Sequence, residues 1–103
     1  MFAFTALADP TRRQIVEILA AGERTAGDIA RQFEVSAPAI SQHLKVLRQA
    51  RLVRVRADAQ RRIYTLDAEG IGEIDAWLCD IRRFWAGRLD ALEQKLSEEG
   101  DTP

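Results

Sequence analysis

Side chains suited to contacting double-stranded DNA occur together in the stretch from Ser36 to Leu66. When the apolar residues of the helix predicted here are turned inward, Ser41, Gln42 and Lys45 point away from the core. A glutamine amide can bond adenine bidentately, a serine hydroxyl can bond several bases, and a lysine can reach a phosphate or a guanine. The spacing therefore indicates noncovalent recognition of base edges.

The same predicted helix begins with small residues. Ala37, Pro38 and Ala39 keep its exposed face free of bulk, which a helix needs if its backbone is to approach base edges in a major groove about 12 Å wide. Ser36 is placed as the N-cap, and the free backbone N–H groups beyond it could bind a phosphate. His43 flanks the buried face, where a lone histidine is more often a packed or hydrogen-bonded structural residue than a ligand or base. No nucleophile or carboxylate lies at a catalytic spacing from it, so no enzyme is predicted.

Positive charge is concentrated in this part of a chain whose formal net charge is −1. Residues 1–66 contain 11 Lys/Arg and 6 Asp/Glu, whereas residues 67–103 contain 4 and 10. A local excess of arginine favours a polyanionic partner such as DNA. The alternatives are an ordinary alanine-rich surface helix and arginines that are merely solvated. The combination of a small-residue helix with a basic hairpin favours DNA binding.

Two helices and the turn between them predict a helix-turn-helix over residues 25–50. Thr25 opens the first of these helices, and Asp28 completes a variant of the capping box. Val35 in the turn is expected to face inward, and the second helix carries apolar residues at positions i, i+4 and i+7. Ahead of this motif, Asp9 is the predicted N-cap of a further helix, which follows a short apolar one.

Two β-rich runs, LVRVRA and RRIYTL, predict a hairpin wing over residues 52–66. Arg54 and Arg56 alternate with valines in the first run, and Ile63 alternates with its neighbours, including Tyr64, in the second. The predicted fold class is therefore mainly α with a small β-hairpin. It is a winged helix-turn-helix of five helices and a two-stranded antiparallel wing.

A single long helix is predicted over residues 68–98. Its apolar residues recur at spacings of three and four, as in a coiled-coil seam with one stutter, and Trp77 and Phe84 widen the seam. This surface exceeds what a body of about 65 residues can cover, so part of it is expected to contact a second chain. We expect one domain over residues 1–98 and a disordered tail at 99–103.

Composition and the N-terminal residues favour a cytoplasmic protein. No run reaches the roughly 18 apolar residues of a membrane span, and the N-terminus lacks the pattern of a secretory signal. The single cysteine, Cys79, cannot form an intrachain disulfide, which fits a reducing compartment. A thiol-responsive regulator that senses through Cys79 is an alternative function, although a cysteine among apolar neighbours is usually inert.

Three stretches of the sequence resemble the ArsR/SmtB family of winged helix-turn-helix repressors: LADPTRRQIVEIL, SAPAISQHLKVLRQARLV and RRIYTL. The similarity runs from about Leu7 to Trp85. It implies a homodimer that binds double-stranded operator DNA, with its recognition helices in successive major grooves. It also implies that the wings touch the flanking backbone or minor groove and that the terminal helices form the dimer interface. Any small-molecule effector is unknown.

On this basis we predict two sets of functional residues. The DNA-binding set lies in the helix-turn-helix and the wing: Thr25, Ser36, Ala37, Pro38, Ser41, Gln42, His43, Lys45, Arg54, Arg56, Gln60, Arg61 and Arg62. The dimer-interface set lies in the terminal helices: Phe2, Phe4, Leu7, Ile74, Trp77, Leu78, Ile81, Phe84, Trp85, Leu89 and Leu92. A winged helix used only for protein–protein assembly is the other alternative, but such modules typically lack concentrated charge on these elements.

The sequence departs from the metal-sensing members of this family. Thr25 and Gly27 stand where the motif E-L-C-V-C-D-L carries its thiolates, and the C-terminal helix has no histidine for the family's other metal site. One cysteine and one histidine cannot supply the three or four soft ligands of a zinc- or arsenic-type site. The C-terminal FWAGRLDALEQKL is similar to a subgroup that lacks metal sites and often represses its own operon. The resemblance thus implies a repressor without a metal or another cofactor.

Overall fold

A computed structural model describes residues 2–100, apart from the side chains at positions 89, 91, 98 and 99. Over this range the helices and strands are α1 (Phe2–Leu7), α2 (Pro10–Ala20), β1 (Arg24–Thr25), α3 (Ala26–Ala30), α4 (Ala37–Gln49), β2 (Val53–Asp58), β3 (Arg61–Leu66) and α5 (Ala68–Gly100). The strands form one antiparallel sheet in the order β1-β3-β2. This mainly helical architecture with a β-hairpin confirms the predicted fold class, to which β1 adds a third strand.

The apolar faces of the helices converge on one core. Its largest fully buried side chains are Ile15, Ile29, Ile40, Leu44, Leu47 and Leu52. Burying a side chain of this size contributes about 1.5–3 kcal/mol relative to leaving it exposed. Three of the six belong to α4 and share one side of that helix, so the opposite side of α4 is left in solvent.

The turn between α3 and α4 differs from the sequence prediction at Val35. The side chain of Val35 is 44% exposed, so the expectation that it faces inward is wrong. α3 ends at Ala30, and Phe33 therefore lies in the turn rather than in the helix. The larger Phe33 packs against the core and fills the apolar position of the turn.

The two arginines of the DPTRR stretch close the C-terminal end of α1. Arg12 Nε donates to the carbonyl of Ala6 over 2.6 Å, and Arg13 Nη1 donates to the carbonyl of Leu7 over 3.0 Å. The last carbonyls of a helix have no partner within the helix and form the negative end of its dipole. Guanidinium donors satisfy these carbonyls, and they fix the short α1 against α2.

Asp9 caps α2, as the sequence predicts, and Pro10 occupies the first helical position. The carboxylate accepts a hydrogen bond from the backbone N–H of Arg12 over 3.1 Å. This bond is the main cause that holds the pKa of Asp9 below its ordinary value. The carboxylate therefore stabilises the fold above the pKa of an unfolded aspartate, and this stabilisation is lost as the pH falls through the lowered value.

β1 makes β3 the central strand of the sheet. Arg24 lies opposite Tyr64, and Thr25 lies opposite Ile63. Ile63 and Tyr64 are both buried, and Tyr64 belongs to the main core cluster. Because consecutive residues of a strand point to opposite faces, the sheet is covered on both faces at this point, which the alternation in the sequence did not predict.

The chain reverses direction after α4 through a tight turn at Arg51. The N–H groups of Arg51 and Leu52 bond back to the carbonyls of Arg48 and Leu47, each over 3.0 Å, and Arg51 adopts a left-handed φ of 59°. This is a Schellman motif without the usual glycine. Gly70 at the start of α5 donates its N–H to the carbonyl of Arg51 over 2.8 Å, which joins α5 to the end of α4.

We predict that Gly70→Ala lowers the free energy of unfolding by about 2–4 kcal/mol, because overpacking and loss of the Gly70 hydrogen bond act together. A Cβ at this position would lie 2.3 Å from the Arg51 carbonyl oxygen. Gly72→Ala is the control, because a Cβ there meets no atom within 4 Å and alanine raises helix stability by up to about 1 kcal/mol. Urea denaturation measures both changes, and equal effects would contradict the close contact.

α5 extends far beyond the body of the protein. Its 33 residues correspond to about 50 Å at 1.5 Å per residue, and the molecule measures 68 × 27 × 22 Å. Ile71 and Ile74 pack against the core, whereas every described side chain from Asp80 to Ser97 is exposed. The helix ends at Gly100, two residues beyond the predicted end. Residues 101–103 of the predicted tail lie outside the described residues.

None of the helices within residues 2–100 combines the length and the apolar character that crossing a lipid bilayer requires.

Candidate nucleic-acid interface

The solvent-facing side of α4 presents the residues that the sequence assigns to base contacts. Ser36 caps this helix by accepting a hydrogen bond from the backbone N–H of Ala39 over 3.3 Å. Beyond the cap, the side chains on this side are small at first and become longer toward the middle of the helix. The exposed predicted residues of this helix are Ala37, Pro38, Ser41, Gln42 and Lys45.

His43 lies at the border of this exposed side and is half-buried. Its Nδ1 is 3.4 Å from Nη1 of Arg12 on α2. The structure therefore places one edge of the imidazole against another helix, unlike the neighbouring Gln42, which is exposed.

Thr25 joins the sheet to the helix-turn-helix. It is the last residue of β1 and the N-cap of α3, where its Oγ1 accepts from the backbone N–H of Asp28 over 3.1 Å. Asp28 completes the predicted capping box by accepting from the backbone N–H of Thr25. Hydrogen bonding of the Asp28 carboxylate with Thr25, first with its side chain and then with its backbone N–H, holds the pKa of Asp28 below its ordinary value. Thr25 thus holds the first helix of the motif against the wing.

Most arginines of the predicted wing are paired with carboxylates of the same chain. Arg54 Nε lies 3.7 Å from Asp67, and Arg61 Nη2 lies 3.0 Å from Asp58. Both carboxylate oxygens of Glu23 accept from Arg56 Nη2, over 2.9 and 3.0 Å. The Arg56 and Arg61 pairs are exposed on both sides, and exposed ion pairs stabilise a fold by only about 0–1 kcal/mol, so a phosphate can replace these two carboxylates at little cost. In the Arg54 pair the side chain of Asp67 is only 14% exposed.

Arg62 and Gln60 complete the predicted wing residues. Both are exposed at the end of the hairpin. Within the described part of the chain, Arg62 and Lys45 have no carboxylate within ion-pair distance. These two cations are therefore available to an incoming polyanion without the loss of an existing pair.

Two clefts connect the wing to the helix-turn-helix. Lys45, Arg48 and Arg54 line the cleft between α4 and β2. Arg31, Arg62 and Gln60 line the cleft between α3 and the end of the wing, together with Thr25, Ala26, Gly27 and Arg61. The cations that line the two clefts are Arg31, Lys45, Arg48, Arg54, Arg61 and Arg62. We call the exposed side of α4, together with the hairpin and these clefts, the basic face.

Arg31 and Arg48 are members of the basic face that the sequence prediction missed. Arg48 follows Lys45 by three residues, so helical periodicity alone would have placed both on the same side of α4. Arg31 lies near the wing only because the sheet carries the hairpin next to α3, and no local pattern in the sequence reports that contact.

A second surface, on α5 and α1, is apolar. Phe4 packs edge-on against Trp77, with 4.9 Å between ring centroids. Leu7 and Ile74 of the predicted interface set pack against the core of the same chain, and the side chain of Leu89 lies outside the described residues. The exposed members, which we call the apolar face, are Phe2, Phe4, Trp77, Leu78, Ile81, Phe84, Trp85 and Leu92.

Two further contacts on α5 were not predicted. The guanidinium of Arg88 lies 5.2 Å from the ring centroid of Phe84 and 5.0 Å from that of Trp85. Arg82 Nη2 donates to Sγ of the half-buried Cys79 over 3.3 Å. The thiol-sensing alternative stays a prediction.

No group of three or more His, Cys, Asp or Glu residues that could hold a metal ion occurs among the residues that the structure describes. Thr25 and Gly27, which replace the thiolates of the metal-binding motif, line the cleft of the basic face beside the wing.

A small, exposed helix face next to a cationic hairpin defines a winged helix-turn-helix transcription regulator. The sequence profile of the bacterial regulatory proteins of the arsR family matches residues 9–55. The chain belongs to this family, as its motifs predicted.

Similar proteins support the assignment over nearly the whole chain. The HTH-type transcriptional regulator Rv2034 of Mycobacterium tuberculosis is 48% identical over 99 residues, which cover 96% of this chain and 90% of the relative. The transcriptional repressor SdpR of Bacillus subtilis is 40% identical over 73% of this chain and 83% of its own. A crystal structure described as a possible transcriptional regulator for arsenical resistance superposes with a TM-score of 0.73 at 39% identity, covering 92% and 96% of the two chains. These relatives are regulators, which confirms the prediction that the protein is not an enzyme.

We predict that Glu23→Gln raises the affinity for a nonspecific DNA duplex by about two- to fivefold, the equivalent of one exposed ion pair. The substitution releases Arg56 from its carboxylate partner and removes a negative charge beside the wing. Glu93→Gln, an equal charge change at an exposed position near the far end of α5, is the control. Fluorescence anisotropy with a labelled duplex measures both variants, and equal gains would mean that only net charge matters.

Proposed function

We propose that the protein is a homodimeric repressor that binds operator DNA sequence-specifically in the cytoplasm and acts on its own operon. The observation that carries this proposal is the basic face. It combines an exposed, small-residue helix surface with cations from two further elements on a scaffold that belongs to a family of DNA-binding regulators. Local charge of this kind supplies the phosphate attraction that an overall net charge of −1 does not.

Within the basic face we assign different roles to α4 and to the cations around it. Ser41 and Gln42 are short enough to bring the α4 backbone close to base edges, and they offer the hydroxyl and amide groups that read bases. Lys45 and Arg62, which have no ion-pair partner among the described residues, contact phosphates and set the register of the protein on the duplex. Arg56 and Arg61, whose ion pairs are exposed, exchange their carboxylates for phosphates on binding.

The apolar face supplies the contact with a second copy of the chain. Phe84 is 63% exposed and Phe2 is 82% exposed, and large contiguous apolar surfaces on a folded chain mark interaction sites. An α5–α1 contact repeated by a twofold axis places two basic faces on one assembly, which is the arrangement that a palindromic operator requires.

We further propose that the regulator responds to a signal other than a soft metal ion. Thiolate positions of the family motif are occupied by Thr25 and Gly27, and the chain contains one cysteine and one histidine. A hydroxyl and a hydrogen atom cannot replace the thiolate ligands that such a site needs.

The function is tested with the DNA fragment upstream of the protein's own gene. We expect the wild type to retard this fragment at physiological salt and to bind it more tightly than a scrambled fragment of equal length. Failure to discriminate between the two fragments would contradict a sequence-specific repressor.

We predict that the double variant Lys45→Ala, Arg62→Ala flattens the dependence of log K on log salt concentration by about one to two units per bound protomer, because each lost phosphate contact lowers the slope by about 0.9. Arg83→Ala removes a basic residue from α5, away from the basic face, and should leave the slope unchanged. Titrations at several salt concentrations measure the slopes. A double variant with the wild-type slope would remove both residues from the phosphate contacts.

We predict that Leu78→Asp converts the dimer to a monomer, because a carboxylate would be buried without a partner in the apolar face. The side chain of Leu78 is 42% exposed in the single chain, so the folded monomer tolerates the change. Ala76→Asp, at another exposed position of the same helix, is the control and should remain dimeric. Sedimentation equilibrium measures the masses, and a dimeric Leu78→Asp protein would place the interface elsewhere.

A further inference from the structure

The guanidinium of Arg12, a residue of α2, contacts two other helices. Its Nε donates to the carbonyl of Ala6 in α1 over 2.6 Å, and its Nη1 lies 3.4 Å from Nδ1 of His43 in α4. Its own backbone N–H, at the start of α2, is bound by the cap residue Asp9. Arg12 and His43 are both half-buried, so these contacts lie at a junction of helices rather than on the open surface.

The chemistry of the two side chains determines the direction of the contact. A guanidinium has donors only, so the contact is a hydrogen bond when Nδ1 of His43 accepts and the proton of the neutral imidazole is on Nε2. Arg12 therefore selects one tautomer and one ring orientation of the histidine. Because the chain contains a single histidine, this state has a unique spectroscopic signal.

We propose that Arg12 is a positioning residue for DNA recognition: it holds the ring of His43 and thereby fixes α4 relative to α1. The proposal rests on the proposed function, and it gives His43 an indirect role in place of the predicted DNA contact. α1 also carries Phe4, which packs against Trp77 in the apolar face. One guanidinium thus connects the helix that belongs to the apolar face with the helix that presents Ser41 and Gln42.

The neighbouring Arg13 provides a matched control. Arg13 is exposed and makes one hydrogen bond, to the carbonyl of Leu7 over 3.0 Å. A lysine keeps the charge and can replace a single hydrogen bond, but its one ammonium cannot reproduce the fork that serves Ala6 and His43 together. Lysine substitution at the two positions therefore distinguishes the effect of the two-donor geometry of a guanidinium from the effect of its charge.

The first experiment compares Arg12→Lys with Arg13→Lys in titrations of the upstream DNA fragment. We expect Arg12→Lys to weaken binding by about five- to tenfold, the equivalent of one typical intramolecular hydrogen bond. Arg13→Lys should stay within about twofold. The salt slope should be unchanged in both, because neither side chain is assigned to a phosphate. Equal affinities of the two variants, or a flatter slope for Arg12→Lys, would overturn the proposal.

The second experiment replaces His43. In His43→Asn the side-chain oxygen takes the place of Nδ1 as an acceptor for Arg12, but the Nε2 donor is lost. We expect His43→Asn to retain affinity within about twofold of the wild type and His43→Ala to lose about as much as Arg12→Lys. In the His43→Ala background, Arg12→Lys should have little further effect, because the partner is already absent. If Asn is as poor as Ala, or if the two losses add, the pair does not act as proposed.

The third measurement needs no DNA. Imidazole ¹⁵N–¹H spectra at about pH 8, where an imidazole is neutral, should show the Nε2-protonated tautomer in the wild type and a tautomer mixture in Arg12→Lys. An Nδ1-protonated ring in the wild type would overturn the proposal even if a variant fails to fold. If the wild type does not bind its upstream fragment, the proposed function fails, whereas this spectrum still decides whether Arg12 holds the ring.

Discussion

Burial of one side of α4 is the constraint on which the rest of the structure depends. Ile40, Leu44 and Leu47 are fully buried, and their spacing leaves no freedom in which residues of this helix meet solvent. The short α1, the capped α2 and α3 and the strand β3 all contribute to the surface against which α4 packs. The exposed chemistry of α4 is thus a consequence of its apolar pattern. A substitution that disrupts the core packing of α4 would therefore reorient its exposed side chains even if every polar residue of the helix were kept.

Electrostatics divide the molecule along its length. Arg56 and Arg61 of the basic face form exposed pairs with Glu23 and Asp58 in the free protein. Weak exposed pairs keep the wing ordered and remain exchangeable. A polyanion can therefore replace the carboxylates as the partner of these arginines. The acidic C-terminal part of the chain, meanwhile, keeps the overall charge near zero and restricts attraction to one surface.

The sequence predicted the helices, the caps at Asp9, Thr25 and Ser36 and the hairpin, because these depend on interactions within a few residues. It did not predict what depends on contacts across the fold. Arg31 lines a cleft with wing residues, and Phe33 rather than Val35 packs against the core, only once the elements are assembled. The arginines of DPTRR illustrate the same boundary. The DPTRR residues contributed to the resemblance to the family, but the carbonyls of Ala6 and Leu7 that the two arginines bind lie outside these five residues, so the sequence did not predict these bonds. The roles of individual residues in DNA binding remain predictions.

β1 has only two residues, yet it joins the wing directly to α3. Thr25 is a strand residue and a helix cap at once, so the wing cannot tilt without carrying α3 with it. The cleft between α3 and the end of the wing is therefore held by both elements. When the contact points of a protein are rigid, the DNA must deform to fit them. DNA sequences that bend, or narrow their grooves, at low energetic cost then bind more tightly, even through base pairs that no side chain touches. Selectivity in such a system resides partly in the mechanical compliance of the duplex.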